Sequence, residues 1–432
     1  MKKNKLNDIL LSEQFIRSMQ LQKVIGFHSN SLNPKLNEND FEVLVYNEDK
    51  HLITFASTGS GKSRSAIIPN LLIYDGPTVV FDPKGELFSI TARARLEMGH
   101  EVVLIDPFNT VKTNRKKHSL NLFDTLKFSD DPFLECQTLA YNLSGKGFSN
   151  DPYWDESARS ILAAIIGYIW FKHKEEERNM KAVTKFIYCE DLAYKIAVIL
   201  DTEKELPEAV ADGFKSYLQI PGDKTRPCVD STLYSYMHIF NSTGILKSLD
   251  TTSFDLNDFI KGKPLDIYIA FPVDKLRSHS RLFLQWILLL ISATLTRKSI
   301  PKNNTLFILD EAAALGENEY IANFITQCRG YGVRMWTFWQ DLQQLTRYYK
   351  NDYKSIINNC GVIQVFGILT YNAAHELFLL TNIKPEIIRN ISPGNQIVLM
   401  ENREYINISR PDYLLNIMFE GKYDPNPYHK GK

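Results

Sequence analysis

Runs of consecutive apolar residues recur along the chain at the spacing of strands that alternate with helices. They fall at 51–56 (HLITFA), 78–81 (TVVF), 102–105 (VVLI) and, far downstream, 306–309 (LFIL). Continuous rather than alternating apolarity is what parallel strands covered by helices on both faces require. The last three runs each meet an aspartate, at Asp82, Asp106 and Asp310. A polar residue at the carboxyl end of such a strand lies where open α/β sheets bind ligands. The pattern predicts an α/β fold, with further strands at 41–46 (FEVLVY), 264–271 (PLDIYIAF), 333–338 and 361–366.

Between 129 and 255 the strand signal gives way to helical periodicity, as at 157–171 and 191–200, with Pro207, Pro221 and Pro227 as punctuation. This predicts an all-helical domain inserted into the sheet, so that 51–128 and 256–413 form one domain in two parts. A leading segment, 1–50, and a tail, 414–432, remain. In the leading segment Leu6, Ile9, Leu10, Phe15, Ile16 and Met19 recur at near-helical spacing. They predict an amphipathic helix, either packed on the body or docked to a membrane partner. The tail ends GKYDPNPYHKGK and reads as flexible, with room for a partner contact.

Composition narrows the classes. At 432 residues the chain exceeds the usual size of a single core. Its 50 basic and 50 acidic side chains cancel, so any nucleic-acid surface must be local. Candidates are the clusters Lys112, Arg115, Lys116, Lys117, His118 and Arg297, Lys298, Lys302, with Tyr348 and Tyr349 as stacking residues; solvated loops and burial are the plain alternatives. The five cysteines are scattered and form no CxxC pair, which argues against a disulfide scaffold or zinc ribbon and fits a reducing cytosol. No signal-peptide pattern is visible. The longest apolar run, 282–295, is interrupted by Gln285 and falls short of the roughly 20 residues that span a bilayer, so it reads as a buried helix. His375 and Glu376 begin like HExxH, but Leu379 stands where the second histidine belongs.

The 51–56 run leads into Ala56-Ser57-Thr58-Gly59-Ser60-Gly61-Lys62-Ser63, which matches G-x-x-x-x-G-K-[ST] except that Ala56 holds the first position. In such a loop Thr58, Gly59, Ser60 and Gly61 present backbone N–H groups to phosphates, and Lys62 reaches the β- and γ-phosphates. Ser63 holds Mg²⁺, and Arg64 enters the helix whose positive end faces the anion. ATP and Mg²⁺ are the expected ligands. Asp310, after four apolar residues, is the second Mg²⁺ residue, and Glu311 the general base that polarises the attacking water. Gln340, ending the run MWTFWQ, is expected beside the Asp310 strand as a γ-phosphate sensor. Arg329, in the turn QCRGYGVR, is the candidate arginine finger for a neighbouring subunit, with Arg334 as the other choice.

Together these segments resemble the type IV secretion coupling proteins, the TraG-like DNA-translocating ATPases of conjugation. The resemblance runs through HLITFASTGSGKS, IIPNLLIYDGPTVVFDPKGEL, VVLIDPF, SLNLF, DPYWDESARSILAAI, TSFDLNDF, LFILDEAAALG, RGYGVRMWTFWQDLQQL and IINNCGVIQVFG, most of 51–370. It implies a RecA-like nucleotide domain, an inserted all-α domain and a homohexameric ring that pumps DNA, with the free chain a monomer in the alternative. It also implies Arg329 acting in trans, Gln340 as the sensor, and Asp82, Lys84 and Glu86 as a second signature that serves either nucleotide coupling and subunit contact or a plain charged turn. The implied partners are DNA, its relaxase or another secretion substrate, and secretion-channel components. Family members usually begin with a transmembrane anchor, whereas here about fifty mostly polar residues precede the loop. The expectation is a cytoplasmic protein recruited to the inner face of the bacterial membrane by an accessory membrane protein; a trimmed anchor is the alternative. Export of protein effectors, or a nucleotide-gated recruitment module without motor activity, are the competing functions.

Overall fold

The computed structural model describes residues 9–12, 44–46, 48–144, 152–367, 370–400 and 405–428. The expected apolar runs form β3 (His51–Ala56), β4 (Thr78–Asp82), β5 (Glu101–Ile105), β6 (Leu265–Ala270), β7 (Thr305–Leu309), β8 (Val333–Trp339) and β9 (Cys360–Phe366). Two strands without a sequence prediction, β10 (Asn395–Met400) and β11 (Ile406–Ser409), complete a nine-stranded sheet in the order β11-β10-β9-β3-β8-β7-β4-β6-β5. Every pairing from β5 across to β9 is parallel, and β10 and β11 add antiparallel at the β9 side.

Both faces are covered, which is why the strands read as continuous apolar runs. Ile53, Phe55, Val79, Phe81, Phe307 and Leu309 face one core. Leu52, Ala56, Val80, Leu306, Ile308 and Trp336 alternate into the other, beneath the helices α1 (Ile68–Leu71) and α2 (Glu86–Glu97). The first core is continuous with the helical insertion. Between β5 and β6 every described element is helical. It contains α3 (Pro132–Ser144), α4 (Pro152–Lys172), α5 (Met180–Ile187), α6 (Leu192–Thr202), α7 (Glu208–Gln219), α8 (Thr225–Met237), α9 (Thr243–Ser248) and α10 (Leu256–Ile260). The centre of α4 is buried through Ile161, Leu162, Ile165, Ile166 and Ile169. The apolar run at 282–295 lies in α11 (Val273–Leu295), where Trp286 is fully buried and its indole N–H donates to the Leu120 carbonyl at 3.0 Å. Among the described residues no helix is long and apolar enough to cross a membrane.

The leading segment departs from expectation. Ile9–Ser12 is a strand, β1, paired antiparallel with β2 (Leu44–Tyr46), rather than part of an amphipathic helix. A short apolar run such as ILLS fits either period, and the partner strand decides. The other residues of that expected helix lie outside the described residues.

At the start of β3, His51 is locked between two backbone groups. Its Nε2–H donates to the Ile325 carbonyl at 2.7 Å, and its Nδ1 accepts from the Met335 N–H at 3.0 Å. Burial pushes its pKa down to about 4, and the cationic Arg329 and Arg334 add to this against the Ile325 hydrogen bond. A folded-state pKa below the ordinary 6.5 means that the unfolded chain takes up the proton first on acidification. Stability is then full above about pH 6.5 and falls as the pH drops toward 4. From pH 7.5 to 5 the His51 share of the loss is expected to be about 2 kcal/mol. Chemical denaturation at both pH values should show a shallower dependence in His51→Gln; an equal slope would remove His51 as its source.

Candidate active site

The loop between β3 and α1 takes its shape from two glycines. Gly59 and Gly61 have φ of 78° and 88°, a region costly for side-chain-bearing residues. Ala56 ends β3 fully buried and is not among the residues of positive φ, so its position needs no glycine. A tight turn closes through Ser60 N–H to the Ser57 carbonyl at 3.1 Å, and Ser65 N–H returns to Gly61 O at 2.9 Å. The helix then opens with a wide π turn over Ser63–Ile67, an arrangement often found at functional sites. Its first N–H groups and its dipole face the loop.

Sheet order brings the remaining groups to this loop. β3 and β7 are separated only by β8, so the residues following all three strands share one carboxyl edge. Lys62 Nζ lies 2.9 Å from Asp310 Oδ1 and 3.4 Å from Glu311 Oε2. Burial disfavours this ammonium, but the two carboxylates outweigh it and hold the Lys62 pKa above its usual value. Burial pushes the Asp310 pKa up, opposed by Lys62. Gln340 Nε2 is 3.5 Å from Glu311 Oε1. Gln344, on α12 (Leu342–Tyr348), donates to the same oxygen at 3.0 Å and was not foreseen from the sequence. Its signal was the spacing: Gln344 stands one helical turn after Gln340, and its side chain also accepts the Gln340 N–H at 2.8 Å. Glu311 has φ 92° and ψ 62°, left-handed for a residue with a full side chain. Such strain costs about 1–3 kcal/mol and persists where surrounding contacts over-determine it.

One strand further on, Asp82 ends β4 and accepts the N–H groups of Glu86 at 3.0 Å and Phe88 at 2.9 Å, capping α2. Gly85 permits this turn at φ 67°, where a Cβ would meet Val111 at 2.5 Å. Burial pushes the Asp82 carboxyl up to about 7 against those amide hydrogen bonds, with the charge of Asp310 adding to it. Asp82 thus caps a helix beside the Asp310 carboxylate. Lys84 is exposed.

Other candidates are placed elsewhere. Arg329 is exposed in the turn Cys328–Tyr331 that precedes β8. It sits at the amino edge of the parallel strands, about 20 Å or more from its own loop given the length of β8. Arg334 is buried with its guanidinium 6.0 Å from the Tyr46 ring centre, which does not suit a finger. Arg297 is buried and ties together the carbonyls of Ile260 and Tyr331 at 2.8 and 2.9 Å, so it is not a DNA contact. Tyr349 is also buried, and Lys117 pairs with Asp106 at 2.7 Å. Glu376 accepts from Gln343 at 2.7 Å, and among the described residues no three or more His, Cys, Asp or Glu side chains gather where they could hold a metal ion.

The tail differs from its expectation as well. The described part, to residue 428, is anchored: Phe419 is buried, and Asp424 bonds Arg93 at 2.7 Å. The Arg64 side chain turns away from the loop to Asp412, at 2.6 Å.

A family model described as Type IV secretory system Conjugative DNA transfer matches residues 17–378. The chain is 24% identical over 349 residues to the type IV secretion system-coupling protein VirD4 of Bartonella henselae, covering 78% of this chain and 54% of that protein. It is 23% identical over 401 residues to the conjugal transfer protein TraG of Escherichia coli, covering 87% and 62%. It thus spans little more than half to three-fifths of the length of these relatives. The fold resembles that of the plasmid coupling protein TrwB solved with the ATP analogue ADPNP, at TM-score 0.62, 15% identity, and 84% and 85% coverage. TrwB solved with ADP and Mg²⁺ matches at TM-score 0.61, 15% identity and the same coverage.

Proposed function

The chain belongs to the type IV secretory conjugative DNA-transfer family, and from that premise we propose that it is an ATP-hydrolysing coupling protein that recruits DNA with its relaxase and drives it toward a secretion channel. The observation that carries this reading is the meeting of Lys62, Asp310, Glu311, Gln340 and Gln344 at one sheet edge, from three separate stretches of sequence. The turned glycines present N–H groups to the phosphates of ATP, and Lys62 exchanges its carboxylate partners for the β- and γ-oxygens. The oxygen donors Ser63 and Asp310 suit a hard cation, and Mg²⁺ held there would neutralise developing phosphate charge. Glu311 accepts the proton of the water that attacks the γ-phosphorus while ADP departs, and Gln344 and Gln340 hold its carboxylate in place. A neighbouring copy supplies Arg329, which gives a homohexameric ring a reason to form: each site is completed across an interface. Membrane recruitment through an accessory protein accompanies this reading.

The test is phosphate release by the full chain at oligomerising concentrations, with and without single-stranded and duplex DNA, against Lys62→Ala as background. Stimulation of at least about fivefold by either DNA is expected of a translocase. Basal hydrolysis that DNA leaves unchanged would sink the motor reading and leave a recruitment module.

A further inference from the structure

The stretch that follows β11 lies against the outside of the phosphate loop. The Arg410 Nη1 donates to the Ser60 carbonyl, and the guanidinium stacks 4.7 Å above the Phe366 ring centre. Its Nε is buried and has no hydrogen-bond partner among the described residues. Two residues on, Asp412 grips Arg64 with both oxygens, at 2.8 Å to Nε and 2.6 Å to Nη2. Further along, Asp424 N–H donates to the Ile90 carbonyl at 2.9 Å, and the Tyr428 hydroxyl donates to the Lys84 carbonyl at 2.6 Å. Residues 410–428 thus hold the chain on both sides of Lys62 and continue to the turn after Asp82.

Peptide geometry makes the Ser60 contact consequential. In a trans peptide the C=O and the following N–H point in opposite directions. A donor held on the Ser60 carbonyl from outside the loop therefore turns the Gly61 N–H inward, toward the phosphate position. Glycines flank Ser60 on both sides, so without an anchor this peptide reorients at little steric cost. The guanidinium also places a positive charge behind the loop, which favours a polyanion in front of it.

We propose that Arg410 is a positioning residue of the nucleotide site, fixing the Ser60–Gly61 peptide with its N–H toward the phosphates. The Arg64–Asp412 pair is the latch that keeps the C-terminal stretch docked, so nucleotide affinity depends on that docking. The inference rests on the reading of the loop as an ATP site.

The experiment measures the dissociation constant of a non-hydrolysable ATP analogue with Mg²⁺, together with KM and kcat for ATP, on the full chain. Arg410→Ala is expected to weaken analogue binding about tenfold and raise KM by a similar factor with kcat within about twofold, the loss of one charge-assisted hydrogen bond. Arg410→Lys, which can still donate to the carbonyl, is expected to recover most of the loss. Asp412→Asn, with Arg410 untouched, should weaken binding about threefold by loosening the latch. Analogue affinity within twofold of wild type in Arg410→Ala, or a loss that Arg410→Lys does not relieve, overturns the positioning role. If Arg410→Ala does not fold, unchanged affinity in Asp412→Asn overturns the proposal and weakened affinity supports it. A wild-type chain that fails to bind the analogue would instead refute the ATP-site reading itself.

Discussion

Glu311→Gln is expected to bind nucleotide within about twofold of wild type while its kcat falls by about 10² to 10⁴, the usual share of a positioned general base. The amide keeps the size of the carboxylate and its backbone setting but has no basic oxygen to take the proton of the attacking water. The structure concentrates several supports on this one side chain. Lys62 holds one oxygen at 3.4 Å, and Gln344 and Gln340 hold the other at 3.0 and 3.5 Å. The backbone of Glu311 is left-handed, at φ 92°, a conformation held in place by these contacts. Lys62 also keeps its shorter contact to Asp310 when Glu311 is changed, which is why binding should survive. Fluorescent-nucleotide titration and single-turnover phosphate release separate the two effects. A variant that turns over at the normal rate would remove Glu311 from the role of base.

The second large effect concerns Arg329, whose removal is expected to lower assembled-state kcat by about 10³ or more, the range found for arginine fingers. Its position allows a sharper test than the loss itself. Arg329 lies at the amino edge of the sheet beside His51, whereas Lys62 follows the carboxyl end of the strand that His51 begins. One chain therefore cannot bring both to the same nucleotide. Lys62→Ala and Arg329→Ala should each be inactive alone and regain activity when mixed. With random assembly in equal amounts, about a quarter of interfaces pair an intact loop with an intact arginine, so about a quarter of the wild-type rate should return. A mixture that stays inactive, or an Arg329→Ala protein that hydrolyses normally by itself, would exclude action in trans.

The parts of the molecule that were legible in the sequence share one property: their signal is local. The parallel strands announced themselves because most of their length is buried on both faces, which leaves short, mainly apolar runs rather than a strict alternation. The loop around Lys62 was legible because its glycines answer a backbone requirement that only they meet cheaply, and the structure puts Gly59 and Gly61 at positive φ while Ala56 remains in ordinary strand geometry. Asp310 and Gln340 could be placed because a residue at the end of a parallel strand has only one edge to occupy. Signals that fit two structures misled: ILLS at Ile9–Ser12 suits a helix turn as well as a strand, and only β2 resolves it. Basic clusters were equally ambiguous, since a sequence does not distinguish a solvated arginine from one that ties backbone carbonyls together in the interior, as Arg297 does.

By itself, then, the sequence determined an α/β sheet with a helical insertion, the loop around Lys62, and the pairing of that loop with Asp310 and Glu311. Tertiary structure alone decided that β10 and β11 extend the sheet antiparallel, that Gln344 joins Gln340 on the Glu311 carboxylate, and that the described part of the tail, to residue 428, is docked rather than loose. The physical reason is separation along the chain. Arg410 and Ser60 are 350 residues apart, and Asp412 and Arg64 are 348 apart. Contacts of that reach leave no periodicity in the sequence and exist only once the sheet has brought these two distant segments to the same edge.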